Sequence, residues 1–214
     1  MLGLLGGTFD PVHLGHIHMA LAAKKRLNLT ELRLLPCHQP PHREQPQLTS
    51  EQRRHLLQLA IEGMNGLCID DREMRRSGPS YTVDTLQDLR KEVGADVSIV
   101  LLMGADAYAS LTQWHQWQKL LKLAHIGVFL RPGFVLPVSG VLADLLIHST
   151  GRDIEKSRAG SVMVLNQMPI DISATEIRSQ LAAGKVPSQL APNVYNYIIN
   201  NQLYKSRENA INDS

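Results

Sequence analysis

The sequence predicts a doubly wound α/β protein built on a mainly parallel sheet. Short apolar runs recur along the chain, and helix-like stretches separate them. Most of these runs are too short for helices, end in Gly, Pro or Asp, and do not alternate apolar with polar residues. Strands of this kind are buried on both faces, as in a parallel sheet between two layers of helices.

Six strands are predicted from these runs, at residues 2–5, 31–35, 67–69, 97–103, 126–130 and 162–165. Helices are predicted at residues 16–26, 49–61, 82–92, 114–123, 173–183 and 192–199. Thr49 with Gln52 and Ser173 with Glu176 have the spacing of capping boxes, and Thr82 is a candidate helix cap. Stop and start signals come from Gly94, Gly184, Pro187 and Pro192.

The composition excludes several classes of protein. Lys and Arg number 22 against 20 Asp and Glu, and a net charge of +2 argues against a nucleic-acid-binding surface. No apolar run reaches the roughly 18 residues of a membrane span, and the start of the chain lacks the basic region of a signal peptide. The two cysteines form neither a disulfide framework nor a zinc spacing. We therefore expect a cytoplasmic protein, with monomer or homodimer left open.

One domain is predicted over residues 1–204, with its C-terminal helical part at about 172–204 and a polar tail at 205–214. Two long connections, 36–48 and 131–160, stand out within it. Connections of that length in a compact domain usually carry function or move.

The strongest functional signal follows the first strand. Gly6 and Gly7 let a ligand approach the backbone, and a helix that starts near His13 offers amides and a positive end to an anion. His13 and His16 lie on one face of that helix, and Gly15 leaves the surface between them flat. No P-loop or Gly-x-Gly-x-x-Gly pattern occurs, so this is a phosphate site of another kind. A purely structural turn or a metal-binding pair stays open.

Further candidates follow later strands. Asp106 comes after the apolar strand that Gly104 ends, where it could bind ribose hydroxyls or cap the next helix. Trp114 could stack on an aromatic ring, and the first amides of its predicted helix could bind an anionic group, with a hydroxyl from Thr82. Core packing is the alternative for Trp114 and the preferred reading for Trp117.

Two motifs carry a resemblance to a known group of enzymes. Gly6-Gly7-Thr8-Phe9-Asp10-Pro11, followed by His13-Leu14-Gly15-His16, resembles the first signature of the nucleotidyltransferase α/β-phosphodiesterase superfamily. Ile172-Ser173-Ala174-Thr175-Glu176-Ile177-Arg178 resembles its second signature. Other segments resemble one branch, the bacterial nicotinate-nucleotide adenylyltransferases, over about residues 1–204. They are Pro40-Pro41-His42-Arg43, 80–86, Gly104-Ala105-Asp106, Trp114 and Arg131-Pro132-Gly133.

The resemblance implies a Rossmann-like nucleotidyltransferase fold and a reaction of NAD biosynthesis. ATP would adenylylate nicotinate mononucleotide, giving deamido-NAD (nicotinate adenine dinucleotide) and pyrophosphate, with Mg²⁺ carried by ATP and no metal site made by the protein alone. The implied catalytic residues are His13, His16 and Arg178. The implied ATP-binding residues are Gly6, Gly7, Thr8, Phe9, His13, His16, Gly104, Asp106, Ile172, Ser173, Thr175 and Arg178. The implied mononucleotide-binding residues are His42, Tyr81, Thr82 and Trp114.

Other functions stay open. One is a sister adenylyl- or cytidylyltransferase that acts on nicotinamide mononucleotide or phosphopantetheine. Another is a nucleotide sensor without turnover. Trp114 and Ser80-Tyr81-Thr82 favour the nicotinate branch, and a pure sensor would not need Arg178 to hold pyrophosphate.

Overall fold

A parallel sheet of six strands runs through the residues that the computed structural model describes, which are 1–39, 45–130, 135–149, 154–165 and 172–205. The strands are β1 Leu2–Gly7, β2 Glu31–Pro36, β3 Leu67–Ile69, β4 Ile99–Gly104, β5 His125–Phe129 and β6 Val162–Leu165. Their order is β3-β2-β1-β4-β5-β6, and all neighbours are parallel. The direction of winding reverses between β1 and β4, where doubly wound proteins bind ligands.

The described helices are α1 Leu14–Arg26, α2 Ser50–Ala60, α3 Thr82–Val93, α4 Ala105–Ala109, α5 Leu120–Leu123, α6 Val141–Ser149, α7 Ala174–Ala182 and α8 Pro192–Asn200. They cover both faces of the sheet because successive strand residues point to opposite sides. Leu5 packs into one core with α1, α2, α7 and α8, whereas Leu4 packs into a second core with α3 to α6. The doubly wound α/β prediction is therefore confirmed.

The strand predictions are confirmed with end points within two residues. Several helix signals also act as predicted. Thr49 Oγ1 accepts from the Gln52 backbone N–H at 3.2 Å, and Gln52 Oε1 accepts from the Thr49 N–H at 3.0 Å, which completes a capping box. Pro192 occupies the first turn of α8, and α3 ends at Gly94 with a φ of 88°.

Other helix predictions are wrong. No continuous helix spans 114–123: two 3₁₀ turns, Leu111–Gln113 and Trp117–Lys119, precede the short α5. Gln116 has a φ of 51°, and this left-handed conformation interrupts any helix there. The connection 131–160 was predicted without a helix, yet it contains α6.

Two predicted caps also differ. Ser173 stands at the N-cap of α7 with an extended backbone, but its side chain makes no capping hydrogen bond, so the box with Glu176 does not form. Tyr81 is the N-cap of α3, and Thr82 is the first helical residue. The single domain at 1–204 and the polar tail at 205–214 stay predictions, since residues 206–214 lie outside the described part.

Candidate active site

The turn from β1 into α1 lies at the switch point of the sheet. β1 and β4 are paired in register, with Leu5 opposite Leu102, so Gly7 and Gly104 end neighbouring strands at the same edge. Phe9 follows with a φ of 52° and a ring that is 1% exposed. A Cβ on Gly7 would stand 2.9 Å from that ring, so glycine is needed where the chain turns over Phe9.

The two histidines of the first motif form a stacked pair. Their ring centroids are 3.7 Å apart, and the ring of Phe9 meets His16 edge-on at 4.9 Å. The backbone N–H of His13, the N-cap of α1, donates to His16 Nδ1 at 3.3 Å. Because that nitrogen accepts, a neutral His16 carries its proton on Nε2. The first turn of α1 holds no acidic residue, so its positive end is not neutralised locally.

Gly15 brings the second motif against the first. A Cβ at this position would lie 3.0 Å from His13 Nδ1 and 3.5 Å from the Cβ of Ile172. Glycine therefore lets Ile172, which precedes the N-cap of α7, approach the histidine pair. Two segments about 160 residues apart in the sequence meet at one place.

Arg178 of α7 reaches the same turn. Its Nη1 donates to the Asp10 carbonyl oxygen at 2.7 Å, and its Nη2 donates to Thr175 Oγ1 at 3.1 Å. The guanidinium thus lies beside the β1–α1 turn, with Ser173 at the start of its own helix. The structure thus places Arg178 at the turn that leads into the helix of His13 and His16.

A buried network of hydrogen bonds holds the turn from β1 into α1 in place. Asp10 Oδ1 accepts from the Tyr204 hydroxyl at 2.6 Å, and Oδ2 accepts from the Gln47 N–H at 2.8 Å. Arg53, which is 1% exposed, donates from Nη1 to the Thr8 carbonyl at 2.7 Å. Burial raises the pKa of Tyr204, and the charge of Asp10 raises it further, so the hydroxyl stays a donor.

Sequence reasoning gave none of these supporting residues a role. Asp10 appeared in the sequence analysis only as one residue of the first motif. Arg53 and Tyr204 carried no local signal, because their partners lie 45 and 194 residues away in sequence.

A second group of predicted residues lies at the start of α3. Tyr81 is the N-cap, and its ring centroid is 4.4 Å from that of His115, the residue after Trp114. Tyr81 and Trp114 are both partly buried against the second core. The first two amides of α3, those of Thr82 and Val83, have no acceptor within the helix and suit an anion, whereas the Asp84 N–H donates to the Tyr81 carbonyl at 3.1 Å.

The helix start predicted at Trp114, on which the anion site there depended, is wrong. No helix begins there, and the Trp114 N–H already donates to the Leu111 carbonyl at 3.0 Å. The indole remains beside the start of α3. The amides of α3 are therefore the donors that could meet a ring carboxylate.

Asp106 lies in the first turn of α4, directly beyond β4. Gly104 is the N-cap, so Asp106 does not cap this helix by occupying that position. The carboxylate instead follows the strand next to β1, where a nucleotide ribose would lie in a doubly wound fold. The predicted residue His42, with Pro40, Pro41 and Arg43, lies outside the described residues, as do Arg131, Pro132 and Gly133.

The described part of the chain contains no group of three or more His, Cys, Asp or Glu side chains that could hold a metal ion. None of the helices in that part is long and apolar enough to cross a membrane.

Together, the switch-point turn, the stacked histidines and the approaching arginine define a nucleotide-binding α/β protein of the nucleotidyltransferase class. The sequence model of the cytidylyltransferase-like family matches residues 4–180. A Cellvibrio japonicus protein named probable nicotinate-nucleotide adenylyltransferase is 46% identical over 95% of this chain and 98% of its own. A relative of the same name from Aeromonas salmonicida is 43% identical over 96% and 97%. The chain belongs to the nicotinate-nucleotide adenylyltransferases within the cytidylyltransferase-like family.

A solved structure shares the fold. The Plasmodium falciparum nicotinic acid mononucleotide adenylyltransferase, complexed with NaAD, superposes with a TM-score of 0.74 over 95% of this chain and 96% of that one. At 18% identity, this likeness bears on the fold alone.

Proposed function

We propose that the protein transfers the adenylyl group of ATP to nicotinate mononucleotide and releases pyrophosphate, in the synthesis of NAD. Membership of the family supports this reaction. The observation that carries it is the bond from Arg178 to the Asp10 carbonyl, because it sets a cation at the switch-point turn that leads into the helix of the histidine pair. That arrangement suits the triphosphate of ATP.

The reaction needs little proton chemistry. A phosphate oxygen of the mononucleotide attacks the α-phosphorus of ATP in line, and the bond from that phosphorus to the bridging oxygen breaks. The bonding electrons leave with pyrophosphate. Because the attacking phosphate is already an anion near neutral pH, positioning and charge stabilisation can supply the catalysis.

Each side chain of the first site has a proposed part. His16, with its proton on Nε2, donates to the α-phosphate as negative charge builds there, while His13 and Thr8 bind neighbouring oxygens. Arg178 holds the β- and γ-phosphates with two donors, assisted by Ser173 and Thr175. Gly6, Gly7, Phe9 and Ile172 shape the turn, and Gly104 and Asp106 receive the ribose.

Magnesium enters with ATP and neutralises the phosphates. The described residues offer no protein cage for it, so phosphate oxygens and water would supply most of its ligands.

The mononucleotide lies at the second group of residues. Its pyridine ring stacks on Trp114, beside Tyr81, and its ring carboxylate accepts from the first amides of α3 and the Thr82 hydroxyl. We assign its phosphate to His42 on the resemblance alone, since that residue lies outside the described part of the chain. A carboxamide carries no charge and has one acceptor oxygen where a carboxylate has two, so it pairs fewer of these donors. The pocket should therefore prefer nicotinate mononucleotide by about 1–3 kcal/mol, or roughly 5- to 150-fold in kcat/KM.

The test is dinucleotide and pyrophosphate formation from Mg-ATP with nicotinate or nicotinamide mononucleotide. A clear preference for the acid supports both sites. A preference for the amide would overturn the carboxylate pocket but keep the mechanism. If neither gives a dinucleotide, the proposal fails. Turnover of another phosphate acceptor such as phosphopantetheine would then indicate a sister transferase, and nucleotide binding without turnover a sensor.

A further inference from the structure

Glu73 is a buried carboxylate outside the two sites described above. It is 4% exposed, and its Oε1 accepts from the Thr85 hydroxyl at 2.7 Å. Thr85 is fully buried in α3. The nearby Ser80 hydroxyl also helps to lower the pKa of Glu73. Burial raises the pKa of Glu73, and the two hydroxyl donors oppose that shift by stabilising the charged form.

The hydrogen bonds of Ser80 have a fixed direction. Its Oγ accepts from the His38 N–H at 3.1 Å and from the Gln39 N–H at 3.3 Å. A hydroxyl has two lone pairs and one proton, so two incoming donors leave the Ser80 proton free to point towards Glu73. A carboxylate that accepts from Thr85 still has an oxygen that can accept from Ser80.

This network joins two segments of the proposed mononucleotide site. On one side, His38 and Gln39 lead into the proline-rich connection that contains His42. On the other side, Ser80 directly precedes Tyr81 and Thr82, and its own N–H donates to the Gln39 carbonyl at 3.0 Å. The position of the start of α3 relative to residues 38–39 thus depends on the Ser80 hydroxyl.

The shortest contacts on the ATP side do not involve Ser80 or Glu73. Arg53 of α2 donates to the Thr8 carbonyl at 2.7 Å and, at a longer 3.5 Å, to the His38 carbonyl. Arg178 donates to the Asp10 carbonyl at 2.7 Å. A disturbance at Glu73 or Ser80 should therefore act first on the mononucleotide half of the site.

We infer that Glu73 is a positioning residue for the mononucleotide: through Ser80 and Thr85 it holds the start of α3 against residues 38–39. This inference rests on the proposed function, in which Tyr81 and Thr82 contact that substrate. Glu73 itself touches no reacting atom. It acts through Ser80. A buried glutamate that only stabilised the fold would, when replaced, change the KM for both substrates alike.

The test compares Ser80→Ala and Glu73→Gln with the wild-type protein. Ser80→Ala removes the bridging hydroxyl. Glu73→Gln leaves one acceptor oxygen where two hydroxyls donate. Ser77→Ala, at an exposed serine just before Ser80, is the matched control. KM is measured for nicotinate mononucleotide at saturating ATP and for ATP at saturating mononucleotide, and mononucleotide binding is measured by calorimetry without ATP.

We expect Ser80→Ala and Glu73→Gln to raise the KM for the mononucleotide at least about fivefold, with the KM for ATP changed less than about twofold. Calorimetry should show the same loss, and Ser77→Ala should behave as wild type. The double variant should lose little more than the worse single variant, because both changes break one chain of bonds. If Glu73→Gln does not fold, Ser80→Ala and calorimetry still decide the matter.

Equal rises in both KM values, or no rise in the mononucleotide KM of a folded variant, would overturn the inference. The wild-type assay separates this from the proposed function. Wild-type protein that makes no dinucleotide from nicotinate mononucleotide refutes the reaction itself. An active wild type with an unaffected Ser80→Ala variant refutes only the role of Glu73.

Discussion

The Tyr204 hydroxyl donates to Asp10 Oδ1 at 2.6 Å, although 194 residues separate the two in sequence. Asp10 also accepts from the Gln47 N–H and, through its carbonyl, from Arg178. One residue of the β1–α1 turn therefore holds segments from the first third of the chain, from α7 and from beyond α8.

Tyr204→Phe should destabilise the protein by about 1–3 kcal/mol, because a buried carboxylate oxygen loses its donor. Urea unfolding followed by circular dichroism measures the change. Tyr195→Phe, in α8, is the control and should unfold like the wild type. An unchanged unfolding midpoint for Tyr204→Phe would show that Asp10 does not depend on this hydroxyl.

His16→Ala should lower kcat by about 10²–10³-fold, equivalent to about 3–4 kcal/mol, since it removes a donor to the α-phosphate. Steady-state turnover at saturating substrates measures it. His18→Ala removes an exposed imidazole from the same helix and should keep wild-type kcat. A loss below tenfold in folded His16→Ala protein would contradict its assignment as a catalytic residue.

Gly15→Ala should separate stability from activity. A Cβ 3.0 Å from His13 Nδ1 is tighter than ordinary contact, so the imidazole must move by a few tenths of an ångström. Alanine favours a helix over glycine by up to about 1 kcal/mol, so unfolding should not become easier. We expect kcat to fall at least about tenfold because the donors lose their alignment. Wild-type turnover would show that the position of His13 is not critical.

His125 should make the fold sensitive to acid. It is fully buried at the start of β5, its Nδ1 accepts from the Ser161 N–H at 3.2 Å, and its Nε2 donates to the Ser157 carbonyl at 2.9 Å. Burial lowers its pKa below the usual 6.5. The unfolded chain therefore binds the proton more readily, and stability falls as the pH drops from about 6.5 through the folded pKa.

The free energy of unfolding, measured with urea from about pH 7 to pH 5, should decline by at most about 1.4 kcal/mol per pH unit from this group. His125→Gln should flatten that decline, whereas His18→Gln, on an exposed position, should leave it unchanged. If His125→Gln leaves the slope of unfolding free energy against pH unchanged, other titrating groups cause the acid sensitivity.

Much of the fold could be predicted because its signals are local. The strands are short apolar runs with sharp ends, and the capping box at Thr49 depends on residues three apart. The turn from β1 into α1, which we propose binds phosphate, was also predictable. A strand, two glycines and the start of a helix follow one another directly in the sequence.

The errors arose where local pattern and tertiary structure disagree. The stretch 114–123 has helical residue types, but the left-handed Gln116 divides it. Helix α6 is mostly apolar and lacked an amphipathic pattern to mark it. Arg53 and Glu73 belong to residue types that usually lie on the surface, and only their partners in the folded structure reveal that they are buried. No property of a short sequence window encodes such pairs.

The strand order also governs how the chain can be made. β1 is synthesised first but lies in the middle of the sheet, between β2 and β4. Until β4 has left the ribosome, one side of β1 presents unpaired N–H and C=O groups and apolar side chains. Such an open edge pairs readily with other strands. The unfinished protein is therefore more prone to aggregate than the finished one, and slow translation between β3 and β4 would lengthen the period in which chaperones must protect it.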